Sequence, residues 1–550
     1  MSTPATTASD DLAARNAELE RLNREQERKI AALTEQIRWF EEQQRLAALR
    51  AFAAKSEKTL AQQQRFVFNE AEVEVDAALL TTEPTLETIT YQRRKKKGQR
   101  EKQIKDLPVE TFTYELDPAE QICPCCDGPL HKMSEVVREE LKFNPASLTL
   151  VRKVRYVYSC RNCEENEVTT PVITATMPAP AFPQSLASAS AVAYIMTQKF
   201  VEGLPLYRQE KSWERFGVSL PRQTLANWML KGAAYLTILE GELKTVLLSN
   251  DILHADETTF QVLREPGREA QTKSYLWLYR TGRDRPPREV TAGCSSPTGP
   301  VVLFEYQPTR VGEHPKHFLQ NFKGFLHVDC YGAYDAVLDV ILVGCWAHAR
   351  RKFYEALMAL PKELRNTTPP TTAQVGLEFC DKLFRIDRKF KNSSTQDRYT
   401  GRIKESKPHL DAFRKWLDVQ SFDVLPKSAL GTAVKYCLNN WVKLTNFLLD
   451  GRLEIDNNRG ERSIRPFVIG RKNWLFANTQ KGAQASATIY SIVETAKENG
   501  LNPFYYLTYL FEQFPNIDTT DRDAIRNLLP WSETLPAYIK VPQKSVETHQ

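Results

Sequence analysis

The first fifty residues carry apolar positions at steps of three, four and seven, in a stretch from Asp11 to Arg50 without proline or glycine. The apolar positions are Leu12, Leu19, Leu22, Ile30, Leu33, Ile37 and Phe40. This spacing is typical of a coiled-coil seam, with Gln26 as a polar break. Because polar residues nearly surround the narrow stripe, the pattern predicts a helix that self-associates. A single amphipathic helix packed on its own protein is the alternative.

After residue 250 the apolar period changes to two. The stretches LSNDILHADETTFQVL (248–263), SYLWLYRT (274–281) and GPVVLFEYQ (299–307) predict three antiparallel strands. A short helical stretch, GEHPKHFLQNF, follows, and GFLHVDCYGAYDAV (324–337) predicts a fourth strand ending at Asp329. VILVGCWAHARRKFYEALMAL predicts a fifth strand that runs into a helix. This element order is that of an RNase H-like core, in which the first and fourth strands are neighbours.

Residues 197–231 contain two helical patterns separated by a turn at Phe216-Gly217-Val218, and Pro221 stands near the start of the second helix. Residues predicted to pack inward are Tyr207, Trp213, Phe216, Leu225 and Trp228. Residues predicted to face outward from the second helix are Arg222, Gln223, Thr224 and Asn227. A helix-turn-helix protein reads base edges from these outward positions. An ordinary helical hairpin is the alternative.

Length and composition indicate a protein of several domains. The 550 residues suffice for roughly three or four domains. A hydrophobic content of 42% with 26% charged residues is typical of a soluble globular protein, and a net charge of +6 does not by itself identify a nucleic-acid partner. The start of the chain lacks the pattern of a signal peptide and no apolar run is long enough to span a membrane, so we expect a cytoplasmic protein with no membrane partner.

Five of the ten cysteines fall between residues 123 and 163, which indicates a metal site rather than a disulfide scaffold. Cys123 and Cys126 form one CxxC pair, and Cys160 and Cys163 form a second, with strand-like sequence between them. Two such pairs predict one structural Zn²⁺ in a small β domain whose own core is too small to fold alone. Cys125 or His131 could replace one of these ligands.

A basic run, YQRRKKKGQREKQIK (91–105), lies within a weakly ordered stretch from 56 to 120 and carries eight basic residues against one acidic residue. Such a run is often a solvated tether, but a flexible basic arm also neutralises phosphates. The candidates for DNA contact are Arg93, Arg94, Lys95, Lys96 and Lys97.

Two aspartates stand at matching places in the predicted core, Asp256 in the first strand and Asp329 at the end of the fourth. Because these strands are neighbours, their carboxylates should converge, and converging carboxylates favour bound cations. Oxygen ligands select Mg²⁺, and a pair of ions serves phosphoryl transfer. Alternatively, Asp256 is a solvated acid and Asp329 caps a turn. His254 and His327 share the strand face of the aspartates, where packing or substrate contact is favoured over metal binding.

Glu461, in the stretch EIDNNRGERSIRPF (454–467), has two interpretations. Asn458 and Glu461 have the spacing of a helix capping box, and Glu461 lies four residues before Arg465, as in a helical ion pair. The second interpretation is a metal ligand that completes the pair of aspartates.

The chain resembles the transposases of the insertion sequence 66 family, which belong to the DDE, RNase H-like transposases and integrases. The stretches that carry the resemblance are LPLYRQ, HADET, SYLWLYR, GEHPKHFL, HVDCYGAYDAV, GCWAHARRKF, PKSALGTAVKYCLNNW, DGRLEIDNNRGERSIRPFVIGRKNWLFANT and SIVETAKENGLNPFYYL. With the coiled coil and the cysteine pairs, they cover nearly the whole chain in the family's order.

The resemblance implies that Asp256, Asp329 and Glu461 form the catalytic triad and hold two Mg²⁺ or Mn²⁺ ions, with Asp456 as the acid to test if Glu461 is dispensable. It implies cleavage at the element's ends and attack of the freed 3′-hydroxyl on target DNA. The partners implied are double-stranded DNA and accessory proteins of the same element. Candidates for phosphate contact are Arg471 and Lys472, and less strongly Arg350, Arg351, Arg462 and Arg465. The sequence departs from the family at Thr259 and at Arg459-Gly460, which removes no carboxylate.

The predicted fold class is a multidomain α+β protein whose RNase H-like α/β catalytic core carries a helical insertion. The predicted segments are a coiled coil (1–55), a basic linker (56–120), a zinc-binding domain (121–170), a helix-turn-helix region (171–245), the first part of the core (246–359), the insertion (360–450), the second part of the core (451–515) and a C-terminal tail (516–550). The predicted function is a bacterial DNA transposase associated with the nucleoid. A structure-specific nuclease and a non-catalytic DNA-binding regulator are the alternatives.

Overall fold

The structure is a computed structural model, and it describes part of the chain. The described residues are 6–52, 151, 157–159, 172–174, 178–183, 185–282 and 299–542. The predicted zinc ligands Cys123, Cys126, Cys160 and Cys163, the alternates Cys125 and His131, and the basic residues 93–97 lie outside the described residues. No helix in the described part is both long enough and apolar enough to cross a membrane.

The amino-terminal pattern forms one helix of 47 residues, α1 (Thr6–Phe52). Its predicted seam faces solvent, since Leu33 is 58% exposed and Phe40 is 64% exposed. Among the described residues, hydrogen bonds link the carboxyl end of α1 to other elements. There Arg45 Nε donates to the carbonyl of Ala359 at 2.6 Å and Glu42 Oε1 accepts from the amide of Ala429 at 2.8 Å. The alternative interpretation, a helix packed on its own protein, therefore applies to the last turns of α1 but not to the seam.

Two short strands, β1 (Val157–Ser159) and β2 (Val172–Thr174), pair antiparallel. Three helices follow: α2 (Ala189–Phe200), α3 (Leu206–Arg215) and α4 (Arg222–Leu248). Gly217 makes the turn between α3 and α4 with a φ of +80°, a conformation that favours glycine. The two helices and the turn were predicted, but α4 runs for 27 residues and its buried stripe continues into the central core.

Two of the five predicted inward side chains are exposed. Trp213, Leu225 and Trp228 are buried as predicted, whereas Tyr207 is 57% and Phe216 40% exposed. The buried residues of α3 are Gln209 and Trp213, one turn apart. Tyr207 lies two residues before Gln209, which places it about 200° away around the helix. Phe216 follows the last residue of α3 and therefore lies in the turn.

A mixed sheet forms the centre of the fold. Its strands are β3 (Ile252–Arg264), β4 (Lys273–Thr281), β5 (Val302–Gln307), β6 (Gly324–Val328), β7 (Val340–Gly344) and β8 (Ala477–Thr479). The order is β5-β4-β3-β6-β7, and β8 pairs with the far end of β3. The first three strands are antiparallel, and β6 and β7 run parallel to β3. The predicted adjacency of the first and fourth strands is confirmed, and β6 ends at Val328, one residue before Asp329.

Helices cover the sheet and follow it to the end of the described chain. They are α5 (Glu313–Phe318), α6 (Trp346–Ala359), α12 (Asn458–Trp474), α13 (Gln480–Glu498), α14 (Pro503–Gln513) and α15 (Arg522–Arg526). Helix α13 is largely buried and lies along the edge strand β5. Its Ser491 and Thr495 hydroxyls accept from the amides of Phe304 and Val302 at 2.8 and 3.0 Å.

The chain between α6 and α12 is helical. It contains α7 (Thr372–Lys389), α8 (Thr395–Gly401), a π-helical turn (Arg402–Ser406), α9 (Lys407–Asp423), α10 (Ala429–Asn439) and α11 (Trp441–Thr445). Short 3-10 segments lie at Gly332–Ala336, Lys362–Leu364, Asn446–Leu448, Phe514–Asn516 and Ala537–Ile539. Phe353 of α6 packs beside Phe413 and Trp416 of α9, so an aromatic cluster joins these helices to the end of the sheet.

Candidate active site

The two aspartates lie at matching distances along neighbouring parallel strands. The ladder between β3 and β6 pairs His254 with His327, and Asp256 stands two residues beyond this pair within β3, whereas Asp329 stands two residues beyond it and just after the end of β6. Because the side-chain period of a strand is two, Asp256 continues the face of His254. Asp256 Oδ1 accepts from the Glu257 amide at 2.9 Å, and Asp329 Oδ1 accepts from the Tyr331 amide at 2.8 Å. The backbone thus fixes one oxygen of each carboxylate.

Glu461 lies in the first turn of α12, and the predicted capping box is wrong. Asn458 is already helical, and the cap position belongs to Asn457, whose side chain makes no capping hydrogen bond. The amide of Asn458 instead donates to Asp456 Oδ1 at 3.1 Å. An Asx turn therefore replaces the capping box.

Asn457 fixes the start of α12 against the sheet. Its Oδ1 lies 2.9 Å from His254 Nδ1, its Nδ2 donates to the carbonyl of Ala255 at 2.8 Å, and its amide donates to Cys345 Sγ at 3.2 Å. These bonds span 203, 202 and 112 positions of the chain. They bring the first turn of α12, and with it Glu461, to the strand that carries Asp256.

The electrostatics of Asp256 link it to the other two predicted acids. Burial raises the pKa of the Asp256 carboxyl well above its ordinary value, and the charges of Glu257, Glu461 and Asp329 raise it further. Asp329 and Glu461 are therefore close enough to Asp256 for their charges to act on it. That the three acids share one metal site stays a prediction.

Glu257 follows Asp256 in β3 and therefore points to the opposite face of the strand. Its carboxylate forms an ion pair with Arg310 and accepts from the Tyr334 hydroxyl at 2.5 Å. Burial and the charge of Asp329 raise the pKa of Glu257, while Tyr334 and Arg310 lower it. Arg310 and Tyr334 satisfy the hydrogen-bonding groups of the Glu257 carboxylate. Glu257 therefore stabilises β3 from the face opposite to Asp256.

His348 is a candidate site residue that the sequence reasoning missed. It lies on the first turn of α6, and its Nδ1 is 3.6 Å from Glu461 Oε1. Ligand atoms of Cys345, His348 and Glu461 lie within 4.8 Å of one another. Within the described part of the chain, neither His348 Nδ1 nor Glu461 Oε1 has a hydrogen-bond partner. The available signal was the stretch GCWAHARRKF, where a histidine follows a cysteine by three residues at the start of a helix.

His254 and His327 serve packing, one of the two roles that the sequence favoured over metal binding. Both are fully buried, and their rings stack with centroids 4.3 Å apart. Burial lowers the pKa of His254 to about 4 and lowers that of His327 well below its ordinary value. The two neutral rings therefore pack against each other across β3 and β6, two positions before the aspartates.

The basic residues predicted near the cleft have protein partners. Arg471 Nη1 donates to the hydroxyls of Thr259 and Thr258 at 2.9 and 3.3 Å and to the carbonyl of Thr259, which ties α12 to β3. Arg350 is buried and pairs with Asp381 at 2.6 Å. Arg351, Arg465 and Lys472 also have partners, whereas the side chain of Arg462 is exposed. Phosphate contact by these residues stays a prediction.

The departures from the family pattern have local partners. Thr259 receives the bonds from Arg471, and Arg459 forms two hydrogen bonds with Glu454, at 3.1 and 2.8 Å. Both interactions help to hold α12, so these substitutions are compatible with the placement of Glu461.

The predicted reading positions of α4 lie on its first turns. Arg222, Gln223 and Asn227 are exposed and Thr224 is half-buried. The amide of Arg222 donates to Glu210 of α3 at 3.1 Å, which fixes the start of α4. Gln223 donates to Asn227 at 3.3 Å.

Comparisons with known proteins identify the family of the chain. The family model described as "Transposase IS66 family" matches residues 184–485. The "zinc-finger binding domain of transposase IS66" matches 120–164, and the "IS66 C-terminal element" matches 491–531. The chain is 31% identical to "Uncharacterized protein y4jD" of Sinorhizobium fredii (strain NBRC 101917 / NGR234) over 438 residues, which cover 78% of this chain and 81% of that protein. It is 29% identical to "Uncharacterized protein y4hP" of the same strain, over 74% of this chain and 73% of that protein.

Proposed function

Because the chain belongs to the transposase IS66 family, we propose that it cuts the ends of a bacterial insertion sequence and joins them to target DNA. The observation that carries the proposal is the placement of Asp256 on β3 and of Asp329 just after the neighbouring parallel strand β6, with Glu461 in a helical turn that Asn457 ties to β3. The core that carries these acids is, in this proposal, an RNase H-like domain, because its strand order places the first and fourth strands side by side.

The residues present fit divalent metal ions. Three carboxylates that repel one another are stabilised by cations, and oxygen donors suit Mg²⁺ or Mn²⁺. We assign the ions to Asp256, Asp329 and Glu461, with His348 beside Glu461. When bound, a pair of ions would supply the charge that stabilises the attacking and leaving oxygens of an in-line displacement at phosphorus.

The protein's own contribution is to position these acids. The amides of Glu257 and Tyr331 hold one oxygen of Asp256 and of Asp329, and the second oxygen is the one we assign to metal. Asn457 holds the start of α12 and so orients Glu461 toward the strands. The reaction would consist of hydrolysis of one strand at the element's end, followed by attack of the new 3′-hydroxyl on target DNA.

DNA binding is assigned to three regions. The family match supports a zinc-binding domain, and we propose Cys123, Cys126, Cys160 and Cys163 as its ligands. The first turns of α4 would read bases through Arg222, Gln223 and Asn227. The basic run 93–97 would neutralise phosphates.

The exposed seam of α1 would pair with α1 of a second copy, as its heptad spacing favours.

A strand-joining assay tests the proposal. The substrate is pre-cut DNA carrying the inverted repeats that flank the gene, incubated with Mg²⁺ and a target plasmid. We expect joined products from the wild-type chain and from the exposed-surface control Asp411→Asn. Asp256→Asn and Glu461→Gln should lose cleavage and joining while still binding the end DNA. Cleavage without joining would favour a nuclease, and unchanged activity in both variants would favour a regulator without catalysis.

A further inference from the structure

A basic groove opens at the junction of α1, α6 and α10, next to the candidate active site. Its volume is about 560 Å³. We call it the lysine groove and define it by Trp39, Lys352, Lys427, Lys435 and Tyr436. Its other lining side chains are neutral amides, a threonine and a proline, so no acidic residue stands among the described residues that line it. Three lysines without lining acids favour an anionic ligand.

The lysine groove is linked to the backbone of Asp329, one of the three acids. Tyr436 donates its hydroxyl to the carbonyl of Asp329 at 2.9 Å. Lys352 lies one helical turn after His348 on the same face of α6, and its Nζ stands 4.9 Å from the centre of the Tyr436 ring. Tyr436 thus contacts both Asp329 and Lys352, which places the lysine groove beside the strand end that carries Asp329.

The far wall of the groove is supplied by α1. The bonds of Arg45 to α6 and of Glu42 to the start of α10 hold this part of α1 in place. Trp39 projects into the groove and keeps 38% of its surface exposed, which is unusual for a side chain of this size. A fixed, exposed indole beside lysines is the combination with which proteins bind single-stranded nucleic acid, through base stacking and phosphate contacts.

We propose that the lysine groove binds an unpaired DNA strand next to the phosphate that is cut. Lys352, Lys427 and Lys435 contact its phosphates, and one base stacks on Trp39. This inference rests on the proposed function. It also extends that function, because it assigns a DNA-binding role to α1, the helix that carries the coiled-coil seam.

The test measures binding of fluorescein-labelled dT15 to the full chain by anisotropy at several salt concentrations. The slope of log K against log salt should fall by about 1.4 in Lys427→Gln/Lys435→Gln, because each phosphate contact on a single strand contributes about 0.7. The matched control is Lys404→Gln/Lys415→Gln, which removes two exposed lysines of the same helical segment outside the groove and should leave the slope unchanged. An unchanged slope in the groove variant, or an equal loss in the control, would overturn the inference.

Trp39 gives an independent readout. Trp39→Ala should weaken dT15 binding by about tenfold, since base stacking on an aromatic ring contributes about 1–3 kcal/mol, and Trp39→Phe should restore most of it. Equal affinities in the three proteins would contradict stacking. Binding to dT15 requires no catalysis. If the wild type joins DNA but the groove variants bind dT15 as tightly as the wild type does, the inference about the groove is refuted and the proposed function is not. Groove-dependent binding without any Mg²⁺-dependent cleavage would refute the proposed function alone.

Discussion

Replacement of Asp387 by asparagine should destabilise the helical segment between α6 and α12. The side chain of Arg402 is fully buried, and its Nε and Nη2 donate to Asp387 Oδ1 at 2.8 and 2.6 Å. Its Nη1 donates to the carbonyls of Phe447 and Asp450 at 3.1 and 3.4 Å. Asp387→Asn leaves this guanidinium in place without its countercharge.

The magnitude follows from burial. Removal of one partner of a buried ion pair costs about 3–5 kcal/mol, because the remaining charge is not resolvated. Asparagine keeps an acceptor oxygen, so we expect the lower end, about 3 kcal/mol. The exposed pair Lys407–Asp411 is a matched control, with side chains 57% and 61% exposed and 3.4 Å between the charged atoms. Asp411→Asn should cost less than about 1 kcal/mol.

Urea-induced unfolding followed by tryptophan fluorescence measures the difference. Trp346, Trp416 and Trp441 stand around Phe413, so their emission reports on this segment. Because Phe447 and Asp450 precede α12, cleavage by Asp387→Asn should also fall, while binding of end DNA is kept. If Asp387→Asn and Asp411→Asn shift the unfolding midpoint equally, the assignment of Arg402 as a buried structural cation is refuted.

Four further predictions concern the metal sites, the seam and the core. His348→Gln should weaken Mn²⁺ binding, measured by electron paramagnetic resonance, by about 10–100-fold, as is usual for residues that orient a ligand; unchanged affinity would remove His348 from the site. Purified protein should contain one zinc per chain by mass spectrometry, and Cys160→Ser/Cys163→Ser should contain none and lose binding of end DNA. Leu33→Glu should lower the mass found by light scattering, because it places charge in the proposed seam; an unchanged mass would contradict pairing through α1. Burial raises the pKa of Glu305 to about 7, so the contribution of Glu305 to stability should fall as pH rises from about 4.3 to 7. Glu305→Gln should therefore be more stable than wild type by about 1–2 kcal/mol at pH 8, since half-burial screens part of the effect, with no difference at pH 4.

The strand pattern and the pair of aspartates could be predicted from the sequence because both depend on local regularities. A period of two indicates strands in this region, and an acid within the first strand and another after the fourth mark a candidate site once these strands are neighbours. Glu461 could not be found in this way. Its stretch has the spacing of a capping box, and only the family resemblance implies that Glu461 is a ligand, which stays a prediction.

The parts that sequence could not predict depend on long-range contacts. Asn457 was one polar residue in an acidic run, but it fixes α12 through residues more than 100 positions away. Only its proximity to Glu461 in the folded chain indicates that His348 is a candidate site residue. Arg471 was predicted to meet phosphate, and its bonds to the Thr259 hydroxyl and carbonyl show how a basic side chain near a cleft also serves to join two elements.

The contact between α13 and β5 bears on how this protein behaves at high concentration. An edge strand with free amides and carbonyls is a template on which another chain can add a strand and begin a fibril. Here the outward amides of Val302 and Phe304 are already bonded to the hydroxyls of Thr495 and Ser491, and Thr495 also donates back to the carbonyl of Val302 at 2.8 Å. Two small hydroxyl side chains therefore close this side of the sheet to polymerisation, and their loss should first become visible as aggregation on storage.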